Sequence, residues 1–240
     1  MLGATSGMGR ALSRLLAERG ESLFVLGIPA ADLARSAQDL EARGAAGKVG
    51  TMECDLLDPA SFGPALDRAD EALGGFDTVI VTAGLFASQE RLESDPEFCR
   101  KLLAANFTHT VAFCEEARKR LLSRGGGTLC VFSSVAGERG RKPVILYGAA
   151  KAGLTRYLEG LDHKFRGEGL VTVTVKPGFV KTSMTEGLKP PPFASEPEDV
   201  AAQVLRAIDK KKPVVYPPPW SLVMFVIRLL PRFVMRRIGF

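Results

Sequence analysis

The sequence predicts an α/β fold, a doubly wound parallel sheet flanked by helices. Three observations carry that reading. Short apolar runs rich in Val, Ile, Leu and Phe alternate with tracts of ten or more residues whose apolar positions recur at helical spacing. A glycine-rich turn at Gly3, Gly7 and Gly9 precedes the first helical tract. With 240 residues, 46% of them hydrophobic and 25% charged, the chain can bury one substantial core, so one domain is favoured over two.

Taken in order, Ala11, Leu12, Leu15 and Leu16 fall at helical spacing, and Gly20 is the expected stop. SLFVLG (22–27) reads as a buried strand, 32–43 as a helix and KVGTMECD (48–55) as the next strand. Leu66, Ala69 and Leu73 fit a helix, and FDTVIVTAG (76–84) is a strand ending in a turn of small residues. One long helical tract covers roughly 96–122. GTLCVFSSVAG (127–137) runs from a strand into a polar turn, and a helix through Tyr147 continues to about Gly167. LVTVTVKPG (170–178) is a strand, 196–209 a helix and VVYP (214–217) a short last strand. KPPPFASEP (189–197) is the one flexible-looking segment, placed where a substrate loop would cross the sheet's carboxyl edge.

The glycine turn suits a dinucleotide. Without Cβ atoms the backbone can approach a pyrophosphate, and the following helix offers free N–H groups to it. Only Met1 and Leu2 precede that turn, where a central strand belongs. Two ladders would then be left unpaired, and the expectation is an apolar strand of about five residues upstream of Met1.

Charge is unevenly placed. The chain is +5 overall, but the residues from Ala201 onward carry +7, leaving −2 on the first 200. A basic tail on a near-neutral body points to an anionic partner at that end, membrane or phosphate, and away from a nucleic-acid protein with a basic binding face. Cys54, Cys99, Cys114 and Cys130 show no metal-ligand spacing and read as reduced, mostly core thiols of a cytosolic protein. No signal peptide is visible, and no apolar run approaches the roughly 20 residues needed to span a bilayer.

Tyr147 and Lys151 are four residues apart, so in a helix they share a face about 6 Å from each other. A cation there favours the phenolate, moving a pKa of about 10 towards working pH. Such a tyrosine can give a proton to a carbonyl oxygen or take one from an alcohol. Alone, the pair is more often a solvated helix face.

The order and spacing of several weak features change that reading. They are GATSGMG (3–9), Asp55, TAG (82–84), Asn106, Ser134 thirteen residues before Tyr147, Lys151, and PGFVKT (177–182). On these the chain resembles the short-chain dehydrogenase/reductase family over nearly its whole length. The resemblance implies a Rossmann-type sheet, NAD or NADP as cofactor, and oxidation or reduction at a C–OH/C=O group. It implies Tyr147 as the general acid, with Lys151 lowering its pKa and holding the nicotinamide ribose. Ser134 would bind the substrate carbonyl, with Ser133 the competing candidate. Asn106 would hold a water relaying protons to Lys151, its alternative being a helix-kink or capping asparagine. Asp55 would contact the adenine, or cap a helix, and Thr182 would meet the carboxamide. Gly3, Thr5, Ser6, Gly7, Met8, Gly9, Leu56, Ala83, Gly84, Pro177, Gly178 and Val180 would complete the cofactor site. A homo-oligomer is also implied.

Two positions depart from the family pattern. The usual Asn-Asn-Ala-Gly turn is Val81-Thr82-Ala83-Gly84, so its hydrogen bonding must differ. Gly27-Ile28 offers neither an acid for a ribose hydroxyl nor an arginine for a 2′-phosphate, which leaves NAD against NADP open.

Within the family, SSVAGERGRK (133–142), KPGFVKTSMTEGLKPPPF (176–193) and the stretch 214–237 are similar to reductases of decaprenylphosphoryl-2-keto-erythro-pentofuranose. That likeness implies a polyprenyl-phosphate keto-sugar as substrate and a flavin oxidase as partner. A lipid ketone reductase of the 3-ketosphinganine type and a non-catalytic dinucleotide-binding scaffold are the alternatives.

The chain divides into a Rossmann-type domain over 1–217, its first strand largely missing, and a basic amphipathic helical tail over 218–240. From Trp220 the tail is too short and too cationic to span a bilayer. Arg228, Arg232 and Arg236 recur every four residues as one stripe beside Trp220, Val223, Phe225, Val226, Leu229, Leu230 and Phe233. Pro231 is expected to bend this helix without erasing the pattern. That profile suits a segment lying in the membrane interface of a cytoplasmic protein, peripheral on the inner face. The alternative is that it packs over the substrate cleft or a second subunit. Arg139-Gly-Arg-Lys142 is placed to meet a substrate phosphate.

Overall fold

A computed structural model of the chain describes residues 1–238; Gly239 and Phe240, the last two residues of the expected tail, lie outside the described residues. The strands are β1 (Phe24–Gly27), β2 (Gly50–Glu53), β3 (Thr78–Val81), β4 (Gly127–Phe132), β5 (Leu170–Val175) and β6 (Val214–Val215). All pair in parallel, β1 with β2 in one group and β3-β4-β5-β6 in the other.

Leu2 joins the two groups, bridging Leu26 of β1 and Val81 of β3. Its N–H donates to Ile80 O at 2.8 Å and its C=O accepts from Thr82 N at 2.9 Å. Below it a cavity of about 690 Å³ is lined by Phe24, Leu26, Val79 and Ile80 together with Arg19, Glu21, Asp77 and Asp209. Where a central strand was expected, two residues therefore make the ladder at its carboxyl end, the end that carries the glycine turn.

Helices α1 (Gly7–Glu18), α2 (Ala30–Ala42) and α8 (Pro197–Asp209) cover one sheet face. There Leu12, Leu16, Leu33, Leu40, Val200 and Val204 pack on Val25, Ile80, Cys130 and Val173. Helices α3 (Phe62–Leu73), α6 (His109–Ser123) and α7 (Ile145–Phe165) cover the other. Phe62, Leu66, Phe113, Leu121, Leu154 and Leu158 pack there on Val79, Val81, Leu129 and Val131. Both faces are thus buried, which is why β4 and β5 read as nearly continuous apolar runs. Cys54, Cys114 and Cys130 are buried and all four cysteines are free, as the spacing suggested.

The expected elements are present, with three differences. A short helix, α4 (Gln89–Ser94), was not foreseen. The expected 96–122 tract is α5 (Pro96–Leu103) and α6 with a π-type turn between them at Ala104–Thr108. The tail does not keep one helix past Pro231. It forms α9 (Trp220–Leu229) and α10 (Arg232–Arg237), with Leu230 extended at ψ 132° between them. Proline lacks an N–H and disfavours helical geometry in the residue before it, so the helix stops there. The arginine stripe is broken with it.

Candidate active site

The carboxyl ends of β1, β3, β4 and β5 open into two adjoining cavities. The first, about 280 Å³, is lined by Gly3, Thr5, Ser6, Gly7, Met8, Gly9, Asp55, Leu56, Ala83, Gly84 and Thr182. The second, about 570 Å³, is lined by Asn106, Ser134, Tyr147, Lys151, Pro177, Gly178, Val180 and again Met8, Gly84 and Thr182. Every catalytic and cofactor residue that the resemblance implied thus borders this double cleft.

The first cavity is walled by the glycine turn. Gly3 and Gly7 have φ of 93° and 48°, open to glycine at little cost, and a Cβ on Gly9 would lie 1.9 Å from Gly3 O. Ser6 caps α1 with no side-chain hydrogen bond, so the first-turn N–H groups of this twelve-residue helix are left for an anion at the cavity wall. Thr82 accounts for the altered turn, its Oγ1 donating to Gly3 O at 2.8 Å and fastening the β3 turn to the glycine turn. Asp55 Oδ1 accepts from Leu57 N at 2.8 Å, so part of that carboxylate orders its own loop.

In the second cavity β4 ends at the two serines. Ser133 Oγ is spent on α7, donating to Lys151 O at 3.0 Å and pairing with Thr155 Oγ1 at 2.7 Å. Ser134 Oγ instead accepts from Ala136 N at 3.1 Å and donates to Pro177 O at 3.5 Å, at the wall of the cavity that Tyr147 also lines. Geometry therefore separates the two candidates. Phe86 meets the Tyr147 ring edge-on, with centroids 5.1 Å apart. Gln89 Oε1 accepts from Leu146 N at 3.2 Å and holds the start of α7. Neither residue carries a sequence signal for that task.

Lys151 is buried on the same helix face, its Nζ 5.8 Å from the Tyr147 ring centroid and donating to Phe132 O at 2.9 Å. Burial pushes the Tyr147 phenol up to about 12, with the Ser134 hydrogen bond pulling the other way. Burial also brings Lys151 down to about 8. Burial disfavours the phenolate, and this acts against the lowering expected from Lys151.

Asn106 is fully buried in the π-type turn. Its Oδ1 accepts from Leu85 N at 2.9 Å and its Nδ2 donates to Leu85 O at 2.6 Å. The side chain thereby fixes the loop after β3, as a kink asparagine does. Of Arg139, Arg141 and Lys142, only Arg141 lines the cavity. Arg139 Nη2 donates to Leu230 O at 2.7 Å and Lys142 Nζ to Arg236 O at 2.8 Å, so both hold the tail instead. Trp220, at the start of α9, also lines the cavity, in keeping with the alternative that the tail packs over the substrate cleft.

A profile described as short chain dehydrogenase matches residues 1–192. The chain is 38% identical over 239 residues to an uncharacterised oxidoreductase of Mycobacterium tuberculosis, covering 99% of this chain and 95% of that protein. Among solved structures it resembles a short-chain dehydrogenase from Sphingobium yanoikuyae in complex with NADPH, at 22% identity and TM-score 0.81, covering 99% of this chain and 94% of the other. It also resembles a short chain dehydrogenase/reductase from Burkholderia phymatum in complex with NAD, at 22% identity and TM-score 0.84, with 95% and 91% covered. The chain belongs to the short chain dehydrogenase family and is an NAD(P)-dependent oxidoreductase.

Proposed function

We propose that the chain is a carbonyl reductase whose ketone is carried on a lipid. The observation that carries the reading is the cluster of Ser134 Oγ, Tyr147 and Lys151 around one cavity that opens onto the glycine cradle. NAD(P)H, when bound along that cradle, supplies the hydride. Its pyrophosphate would rest on the α1 N-terminus, Asp55 and Leu56 would border the adenine, and Thr182 the carboxamide. Ser134 orients the carbonyl oxygen and stabilises its developing charge. Tyr147 delivers the O–H proton to that oxygen as the carbon is reduced, so its un-ionised state at neutral pH suits the reductive direction. Lys151 holds the ribose hydroxyls, and Asn106 shapes the loop through which protons are relayed.

The cavity wall supports a large amphipathic substrate. Leu85, Phe86, Val144, Phe179 and Trp220 supply apolar surface, and Arg141 and Lys189 supply positive charge for a phosphate. A keto-sugar on polyprenyl phosphate has that character, as part of a homo-oligomer peripheral on the inner face of the membrane, with a flavin oxidase forming the ketone. The test is fluorescence change on adding NADH or NADPH, followed by turnover of keto-sugars with and without a prenyl phosphate. The reading expects reduction with higher kcat/KM for the lipid-linked form. Cofactor binding without turnover of any ketone would instead favour a binding scaffold.

A further inference from the structure

Helix α9 is apolar on two sides. Inward, Trp220, Met224 and Ile227 are buried against Val135, and Trp220 lies so close over Gly178 that a Cβ there would come within 1.9 Å of its ring. The indole N–H has no hydrogen-bond partner among the described residues, so packing alone sets the ring's position on the substrate cavity. Outward, Leu222, Phe225, Val226 and Leu229, with Phe233 of α10, are each 50–69% exposed. A helix lying on a globular body ordinarily turns polar residues to water. Here the neighbours of the exposed apolar face are the exposed Arg232, Arg236 and Arg237, and no acidic residue follows Asp209. Among the described residues no helix is long and apolar enough to cross a membrane.

The same helix is fastened to the catalytic loops. Arg228 Nη1 reaches Glu138 Oε2 at 3.2 Å, and Glu138 Oε1 pairs with Lys176 Nζ at 2.7 Å, both of the latter side chains under 10% exposed. Glu138 lies four residues after Ser134, and Lys176 directly precedes Pro177, whose carbonyl accepts from Val135 N at 3.1 Å.

We propose that the outer face of α9 and α10 docks on an anionic lipid surface, and that Trp220 and Glu138 carry this docking to the substrate cavity. Apolar side chains would enter the acyl boundary while the arginines meet the headgroups. The coupling rests on the reductase reading; the docking does not.

Flotation of the full chain with phosphatidylglycerol-containing and purely phosphatidylcholine vesicles tests the surface. A Leu222→Ser/Phe225→Ser/Leu229→Ser variant alters only exposed side chains. Wild type should float with the anionic vesicles and release as salt rises, and the variant should bind about tenfold less or weaker. Both should reduce a water-soluble ketone equally without vesicles. Trp220 is the only tryptophan, so anionic vesicles should shift wild-type emission and lower KM for the soluble ketone. Glu138→Gln should float like wild type yet lose most of that KM response. Equal flotation of wild type and triple variant overturns the docking, as does a protein that never floats and elutes as a tail-dependent dimer. Flotation with emission and KM unchanged overturns the coupling. Flotation without reduction of any ketone sinks the reductase reading and leaves the docking standing.

Discussion

Lys151 is where burial and charge conflict most directly. Its pKa is lowered from 10.5 to about 8 by desolvation in the cofactor-free cleft. Between those values the unfolded chain holds a proton that the native site has shed, so this group makes stability rise with pH across that window. Below about 8 both states are protonated and the cost of the buried charge is fully present. The melting temperature of wild type relative to Lys151→Met should therefore climb from pH 8 towards 10.5. A flat difference would mean that Lys151 is better solvated than its burial indicates. The four-residue step foretold that Tyr147 and Lys151 share a helix face, whereas their roles and the choice of Ser134 came from the resemblance to the family. The direction of the Tyr147 shift was not legible. It depends on how much water Phe86 and the surrounding loops exclude, and those meet only in the folded chain.

Two elements are held by contacts that local sequence does not announce. Glu138 and Lys176 are remote in sequence and buried together, with Arg228 half exposed beside them. Glu138→Ala leaves the Lys176 ammonium buried without its partner and should cost about 3–5 kcal/mol. Arg228→Ala removes only the exposed arm and should cost about 1 kcal/mol or less. Urea titrations of the two variants measure both; similar losses would show that the pair does not act as the buried anchor. The glycine turn gives the opposite case, since its tight geometry was readable in the sequence. Gly9→Ala drives a Cβ against Gly3 O, so NAD(P)H affinity should fall at least about tenfold while a displaced turn costs about 1–3 kcal/mol. Titration of cofactor fluorescence checks the first and thermal melting the second. The tail was legible as amphipathic and basic, with packing over the cleft as an alternative, but not as two helices, and the Gly178 notch that receives Trp220 exists only in the folded chain.

At the scale of the molecule, alternation of apolar strands with helical tracts was sufficient for the sheet, since both faces of β4 and β5 had to be covered. At its centre Leu2 bridges β1 and β3 at the end bearing the glycine turn. The cleft stands above that join and Trp220 of α9 lines one side of it, so the glycine turn, Tyr147 and the start of the tail border one continuous surface. The claim that organises this account is that Tyr147 protonates a carbonyl reduced by NAD(P)H. The most direct measurement is kcat for ketone reduction by wild type and Tyr147→Phe, with cofactor affinity measured alongside. The account predicts a loss on the order of 10²–10⁴ in kcat with cofactor binding kept; a Tyr147→Phe protein that retains most of its activity would contradict it.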